Sequence, residues 1–158
     1  QKIGQVIRQM GLPVDVLSTN RVSDLTPYDA IVLGSAVYAG QWLKEAVTFL
    51  ETNEQRLAEH PVWLFSSGPT GNGEPVQLMK GWHFPAAQQL IADRIKPRDI
   101  AFFQGVMDLK KLTLVEKLMI KAIKAPVGDF RDWAAITEWA SAIADTLKHE
   151  MPQPLSVS

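Results

Sequence analysis

The sequence predicts an α/β protein whose parallel sheet is covered by helices on both faces. Short apolar runs of strand length alternate along the chain with longer segments whose apolar residues recur at helical spacing. Such alternation forms right-handed strand–helix–strand units and therefore a parallel sheet. The clearest strand covers residues 28–35, because its nearly continuous apolar run follows a polar segment and ends at Gly34 and Ser35. This pattern is typical of a strand that is buried on both faces.

Length and composition narrow the class of protein further. The 158 residues suffice for one domain with its own core, and a chain with 46% hydrophobic and 21% charged residues is not disordered, collagen-like or a coiled coil. The net charge of the chain is −1, whereas proteins with a large nucleic-acid-binding surface are usually strongly basic. We therefore expect no nucleic-acid partner. The lack of cysteine excludes disulfides, cysteine-ligated metals and a thiol nucleophile. With no apolar run of membrane-spanning length and no signal-peptide pattern, we expect a cytoplasmic location.

Three further strands are predicted from shorter patterns. Residues 14–17 alternate as a short strand, and residues 61–66 and 99–103 form apolar runs of the buried type. The run at residues 61–66 leads into residues 67–73, where three glycines and a proline predict a loop.

Helical spacing of apolar residues predicts the elements between the strands. The predicted helices cover residues 1–10, a segment that begins at about residue 42, residues 86–94, residues 112–124 and a final segment after Asp132. Asp132 is a suitable N-cap for the final helix. The first helix has no N-cap residue before it, so we expect its beginning to be missing from the sequence.

Two loops are the candidate ligand-binding segments, because parallel sheets bind ligands beyond the carboxyl ends of their strands. Residues 34–42 combine small residues with the flat rings of Tyr38 and Trp42, which suits a planar heteroaromatic ligand. The same residues are equally consistent with a strand–helix turn whose aromatic rings cover the end of the sheet. Residues 67–73 carry the pattern G-x-x-G-x-G, which is neither the dinucleotide fingerprint nor a P-loop.

Two strand-and-loop stretches, residues 28–40 and 62–69, resemble the flavodoxin-like domain family. Residues 116–121 and 128–133 are similar to the subgroup of that family that contains menaquinone-dependent protoporphyrinogen oxidase. The resemblance extends over nearly the whole chain. It implies a doubly wound parallel sheet with the strand order 2-1-3-4-5.

The resemblance also implies the limits of the domain. In that family a central strand and a phosphate-binding loop precede the first helix, and we expect both to be missing from this sequence. The implied flavodoxin-like domain covers residues 1–150 and is incomplete at its N-terminus, and residues 151–158 are expected to form a mobile C-terminal tail.

The expected cofactor is FMN, which the resemblance places against the two loops. Tyr38 or Trp42 would stack on the isoalloxazine ring, and backbone N–H groups near Val37, Ala39 and Gly68 would bind its polar edge. No catalytic residue, metal ligand or phosphate ligand is assigned. The expected FMN-binding residues are Ser35, Ala36, Val37, Tyr38, Ala39, Gly40, Trp42, Ser67, Gly68, Pro69, Thr70 and Gly71.

The function that the resemblance implies is that of an FMN-dependent oxidoreductase. The specific expectation is protoporphyrinogen oxidation, a step of porphyrin biosynthesis, with a quinone as the electron acceptor. The alternatives are a flavodoxin-like electron-transfer protein, a quinone reductase with another donor, and a flavin-free interaction domain. Lys44 is the only basic residue near the aromatic loop, so a reduced anionic flavin would gain little charge stabilisation there and we expect a low two-electron potential.

The remaining candidates are a histidine and a basic helix face. His83 is the one histidine that could reach the flavin loops, and the other two are expected to be structural or solvated. Lys117, Lys121 and Lys124 share a face of the predicted helix at residues 112–124. This face would contact an anionic membrane or a membrane-borne quinone, which would place the chain peripherally at the inner membrane, or it is the solvated side of an ordinary amphipathic helix.

Overall fold

The computed structural model describes residues 1–150, which divide into two compact units. The smaller unit consists of residues 1–21 and 132–150, and the larger unit is Val22–Arg131. The expected mobile tail at residues 151–158 lies outside the described residues. Within residues 1–150, no helix combines the length and the apolar character that crossing a membrane requires.

The secondary structure alternates between strands and helices, as the sequence predicts. The α-helices are α1 (Lys2–Gln9), α2 (Lys44–Thr52), α3 (Glu54–Leu57), α4 (Pro75–Leu78), α5 (Gln89–Ile95), α6 (Leu114–Ala122) and α7 (Trp133–Glu150). The strands are β1 (Ile31–Tyr38), β2 (Gln41–Trp42), β3 (Val62–Ser67), β4 (Asp99–Phe103), β5 (Val106–Met107) and β6 (Gly128–Asp129). Short 3₁₀ turns occupy Thr19–Arg21, Ala86–Gln88 and Leu109–Lys111.

A four-stranded sheet organises the larger unit. Its order is β2-β1-β3-β4, in which β1, β3 and β4 run parallel and β2 pairs antiparallel with the end of β1. The parallel ladders begin at the pairs of Ile31 with Val62 and of Trp63 with Asp99. The parallel order β1-β3-β4 corresponds to the last three strands of the order 2-1-3-4-5. The predicted α/β class with a mostly parallel sheet is therefore confirmed.

Apolar side chains from the sheet and from α2, α3 and α5 form the core of the larger unit. Leu50, Leu57 and Leu64 are completely buried, and Ile91 and Ile95 on α5 belong to the same cluster. Burial of this size is the main favourable term in folding. Leu33 of β1 and Leu64 of β3 belong to this cluster, so it packs against the middle of the parallel strands.

The smaller unit consists mainly of α1 and α7, which pack against each other. Val6 and Ile7 are buried on α1, and Ile136 and Ile143 are buried on α7. The carboxylate of Asp132 accepts hydrogen bonds from two N–H groups in the first turn of α7, at 2.9 and 3.0 Å. Asp132 is therefore the N-cap that the sequence predicts.

The predicted strand at residues 14–17 is wrong, because the segment is irregular and has no strand partner among residues 1–150. The guanidinium group of Arg8 donates two hydrogen bonds to the carbonyl oxygen of Val14, at 2.9 and 2.5 Å. Val16 and Leu17 are 45% and 46% exposed. Alternating apolar residues form a strand only where a neighbouring strand pairs with their backbone N–H and carbonyl groups. Here the carbonyl group of Val14 is bonded to the side chain of Arg8 instead.

The strand β1 begins and ends three residues later than predicted and continues into a β-hairpin. The sequence predicts a loop at residues 34–42 that leads into a helix at about residue 42. The strand instead continues to Tyr38 and returns as β2, and α2 begins at Lys44. Ala39 and Gly40 have φ angles of 50° and 75°. Two successive positive φ angles match a two-residue type I′ turn, whose twist suits a hairpin.

Candidate functional site

The carboxyl ends of the three parallel strands lie against one another. A β-carbon placed on Gly68 would lie 2.9 Å from Cβ of Val37, and one placed on Gly105 would lie 2.7 Å from the carbonyl oxygen of Gly68. The N–H group of Gly68 donates to the carbonyl oxygen of Phe103 at 3.1 Å. The chain segments that follow β1, β3 and β4 therefore touch, as expected for the ligand-binding edge of a parallel sheet.

The hairpin is fixed at its base by a buried serine. The hydroxyl oxygen of Ser35 accepts a hydrogen bond from the N–H group of Leu43 at 3.0 Å, and the hydroxyl group donates to the carbonyl oxygen of Ala36 at 2.8 Å. Ser35 is buried, so these bonds are protected from water. Its side chain therefore joins the start of the hairpin to the residue that follows it.

The two aromatic candidates of the hairpin have different surroundings. The ring of Trp42 is 4% exposed, its Nε1–H group donates to the hydroxyl oxygen of Ser66 at 2.8 Å, and it meets the ring of Phe84 edge-on with centroids 5.2 Å apart. Tyr38 is 55% exposed. Of the two rings, only that of Tyr38 presents a large open face, whereas the ring of Trp42 belongs to the core.

The other expected residues of the hairpin lie between these extremes. Val37 is half-buried against Gly68, Ala36 and Ala39 are exposed, and Gly40 is half-buried at the tip. These positions therefore offer backbone groups and small surfaces rather than reactive side chains.

The second loop is held through its carbonyl oxygens. The side-chain amide of Gln104 donates to the carbonyl oxygen of Gly71 at 2.7 Å and to that of Gly73 at 2.8 Å. The N–H group of Gly105 donates to the carbonyl oxygen of Pro69 at 2.9 Å. Ser67 supports the same arrangement, because its hydroxyl group donates to the carbonyl oxygen of Gln104 at 3.4 Å.

These bonds leave the amide side of the second loop open. The backbone N–H groups of residues 70–73 have no hydrogen-bond partner among the described residues, although Gly71 is buried. Asn72 and Gly73 are exposed, so their N–H groups are open to water. The N–H groups of residues 70–73 are therefore available as hydrogen-bond donors to an acceptor-bearing ligand.

Sequence reasoning missed Gln104, Gly105 and Trp82 as parts of this site. Gln104 and Gly105 directly follow β4. Because parallel sheets bind ligands beyond the carboxyl ends of their strands, this position could have identified both residues from the sequence. The ring of Trp82 lies edge-on to that of Phe102 with centroids 4.9 Å apart, and its Nε1 atom would be 3.6 Å from a β-carbon on Gly40. Trp82 therefore supports the hairpin tip from outside.

The loops themselves carry no charge. Residues 34–42 and 66–73 contain no Asp, Glu, Lys or Arg. The nearest structured ion pair joins Asp129 to Arg131 at 2.6 Å, and the N–H group of the intervening Phe130 donates to the carbonyl oxygen of Gly105 at 3.1 Å. The hydrogen bond from Arg131 lowers the pKa of Asp129 to about 2. The two charges of this ion pair compensate each other.

Comparison with known families identifies the fold family. The family model of the flavodoxin domain matches residues 1–133, which is most of the chain. The chain belongs to the flavodoxin domain family. The comparisons with curated proteins and with solved structures give no significant match. Flavodoxin domains commonly bind FMN, so a flavin-binding redox protein is the function class that the family suggests.

The residues at the strand ends of this flavodoxin domain suit the ring of FMN. An isoalloxazine ring is flat and uncharged when oxidised, and one edge carries several hydrogen-bond acceptors. The exposed ring of Tyr38 provides a flat face, and the open N–H groups of residues 70–73 provide donors. These two features fit the ring portion of the cofactor.

Proposed function

We propose that the chain binds FMN at the touching strand ends and acts as an FMN-dependent oxidoreductase that transfers electrons from a bulky reduced substrate to a quinone. The observation that supports this most is that the exposed ring of Tyr38 is combined with the N–H groups of residues 70–73, which donate no hydrogen bond among the described residues. Val37 links the two, because it precedes Tyr38 and touches Gly68.

The chain's own residues would orient the ring and shape its surroundings. Tyr38 would stack on one face, and the N–H groups of residues 70–73 would bind acceptor atoms at the polar edge. When bound, FMN supplies the two-electron redox chemistry. Gln104 would act as a positioning residue, since it binds two carbonyl oxygens of the second loop and so fixes the shape of that loop.

The lack of charge in both loops supports a low two-electron potential. A reduced flavin carries negative charge, and a nearby cation would stabilise that form. The closest basic residue along the aromatic loop is Lys44, which is exposed to water and therefore screened. A redox titration of the flavin-loaded chain measures this potential, and a markedly positive value would contradict the expectation.

The proposed substrate is protoporphyrinogen, and the proposed acceptor is a quinone of the menaquinone type. The support is the similarity of residues 116–121 and 128–133 to the protoporphyrinogen oxidase subgroup of the family. Each electron pair and its two protons that leave the porphyrinogen would convert one quinone into its quinol. The balance therefore needs no oxidant other than the quinone.

Anaerobic turnover tests this function directly. The chain is loaded with FMN and mixed with protoporphyrinogen and menadione, and the fluorescence of the porphyrin product is followed. We expect product to form only when the flavin-loaded chain and menadione are both present. Replacement of Tyr38 by Ser should lower the affinity for FMN about tenfold, because ring stacking contributes on the order of 1 kcal/mol.

The same experiment separates the competing functions. A chain that holds FMN and reduces menadione from another donor, but leaves protoporphyrinogen unchanged, would be a quinone reductase or an electron carrier and would contradict the proposed substrate. A chain that takes up no flavin at all would contradict the proposed function as a whole.

A further inference from the structure

The helix α6 exposes its apolar residues instead of burying them. Leu114, Leu118 and Ile123 are 79%, 66% and 71% exposed, and Val115 and Met119 are also exposed. Ile120 is the one buried residue on this helix. At 3.6 residues per turn, Leu114 and Leu118 lie on the side of the helix opposite Ile120. These five residues form the apolar face of α6, which is exposed to solvent instead of packed against the rest of the larger unit.

A comparison with α5 makes this arrangement distinctive. On α5 the apolar residues Ile91, Ala92 and Ile95 are buried in the core, as is usual for an amphipathic helix. The lysines of α6 are exposed as the sequence suggests, but the apolar residues beside them are exposed too. The interpretation of α6 as an ordinary amphipathic helix with one solvated side therefore does not describe it.

The helix α6 is well formed in spite of its exposure. Thr113 and Glu116 make a capping box, in which the N–H group of Thr113 donates to the carboxylate of Glu116 at 2.8 Å and Thr113 Oγ1 accepts from the N–H group of Glu116 at 3.3 Å. The antiparallel pairing of β5 with β6 closes the chain segment that contains the helix. The apolar face is therefore presented by an anchored helix.

The charge of this segment is opposite to that of the rest of the chain. Residues 109–127 contain five lysines and one acidic residue, Glu116, whereas the remaining residues contain 11 basic and 16 acidic ones. The carboxylate of Glu116 is engaged in the capping box, and the hydrogen bond from the N–H group of Thr113 lowers its pKa. Lys117 and Lys121 lie along one border of the apolar face and are exposed.

We propose that α6 lies in the interface of an anionic lipid bilayer, with its apolar face among the upper acyl chains and its lysines among the headgroups. Helices with a basic border and an apolar face bind membranes in this way. A protein partner is less consistent with the composition. Of the residues enriched in protein interfaces, residues 109–127 contain one methionine, no aromatic residue and no arginine, but they contain five lysines, which are depleted there. This inference does not depend on the proposed function.

Vesicle flotation tests the proposal with the full chain. We expect the chain to float with vesicles of phosphatidylcholine mixed with phosphatidylglycerol and much less with phosphatidylcholine alone, and we expect added salt to release it. The double variant Leu114→Ser/Leu118→Ser should bind at least about tenfold more weakly, because it loses apolar burial. The double variant Lys117→Glu/Lys121→Glu should also bind the anionic vesicles at least about 25-fold more weakly, because each lysine contributes about fivefold to the affinity.

Matched variants control for general effects of the substitutions. Leu90→Ser replaces a leucine that is 69% exposed on α5, and Lys2→Glu/Lys148→Glu makes the same charge change on α1 and α7. Both should float like the unchanged chain. Equal flotation of α6 variants and control variants would overturn the proposal. A concentration-dependent dimer in sedimentation velocity that the Leu114→Ser/Leu118→Ser variant abolishes, without vesicle binding, would overturn it in favour of a second copy of the chain.

Discussion

The two loops of the candidate site are held in place by different means. The hairpin loop is tied to the core through its own side chains, since Ser35 joins its arms and Trp42 is buried beside Ser66. The glycine-rich loop has a weaker side-chain anchor, the 3.4 Å hydrogen bond from Ser67 to the carbonyl oxygen of Gln104, and its carbonyl groups depend on the side chain of Gln104. The hairpin should therefore be as stable as the fold itself, whereas the second loop can lose its shape while the fold persists. Substitutions in the two loops should separate stability from ligand binding.

The largest effect is expected from Trp42→Ala. Removal of a buried tryptophan costs about 3–5 kcal/mol of unfolding free energy, and the hydroxyl group of Ser66 loses the donor that it now has. Urea unfolding followed by circular dichroism measures the change. Tyr38→Ala is the control on the same hairpin, because its ring is exposed and should contribute little to stability. Equal losses for both variants would mean that Trp42 is not the anchor.

A smaller loss of stability but a clearer loss of binding is expected from Gln104→Ala. The variant removes two hydrogen bonds that each contribute about 1 kcal/mol, and it frees the carbonyl groups of the second loop. We expect FMN affinity, measured by fluorescence titration, to fall about tenfold. Gln89→Ala removes a comparable amide bond to Asp93 on α5, away from the loops, and should leave affinity unchanged. An unaltered FMN affinity in Gln104→Ala would contradict the role of Gln104 in shaping the site.

The smallest effect concerns pH and the ion pair next to the second loop. The folded-state pKa of Asp129 is about 2, below its ordinary value of 3.8, so its contribution to stability is present above pH 4 and is lost as the pH falls towards 2. The pair is partly exposed, and its contribution is therefore modest. Urea unfolding at pH 6 and at pH 3 should show a steeper loss for the unchanged chain than for Asp129→Asn. An equal loss of unfolding free energy in the two proteins would contradict the contribution of Asp129 to this pH dependence.

The sequence predicts those parts of the fold that depend on local pattern. The apolar runs that became β1, β3 and β4 each form a ladder with at least one parallel neighbour, and Asp132 caps α7 through atoms of the next turn. The predicted strand at residues 14–17 fails, because a strand also needs a partner, which a local pattern does not reveal. The helical pattern of α6 is visible as well, but the direction in which its apolar face points depends on the packing of the whole unit.

The strand-end rule predicts the position of the candidate site, but no local pattern predicts its construction. The rule points to Tyr38 and Gly68, and the aromatic pattern alone did not distinguish the exposed Tyr38 from the buried Trp42. Gln104 was missed because the carbonyl groups that it binds are 33 and 31 residues away in the sequence. Contacts of that separation follow from topology and carry no local signature.

A titration with lumiflavin tests the central claim most directly, because lumiflavin carries the isoalloxazine ring without the ribityl phosphate and so reports on the ring contacts alone. We predict saturable quenching of its fluorescence, with an affinity about tenfold weaker for Tyr38→Ser. Leu43→Ser, an exposed position that follows the hairpin, should match the unchanged chain. An affinity that is the same in all three proteins, or an absence of saturable binding, would contradict the placement of the flavin ring against Tyr38 and the glycine-rich loop.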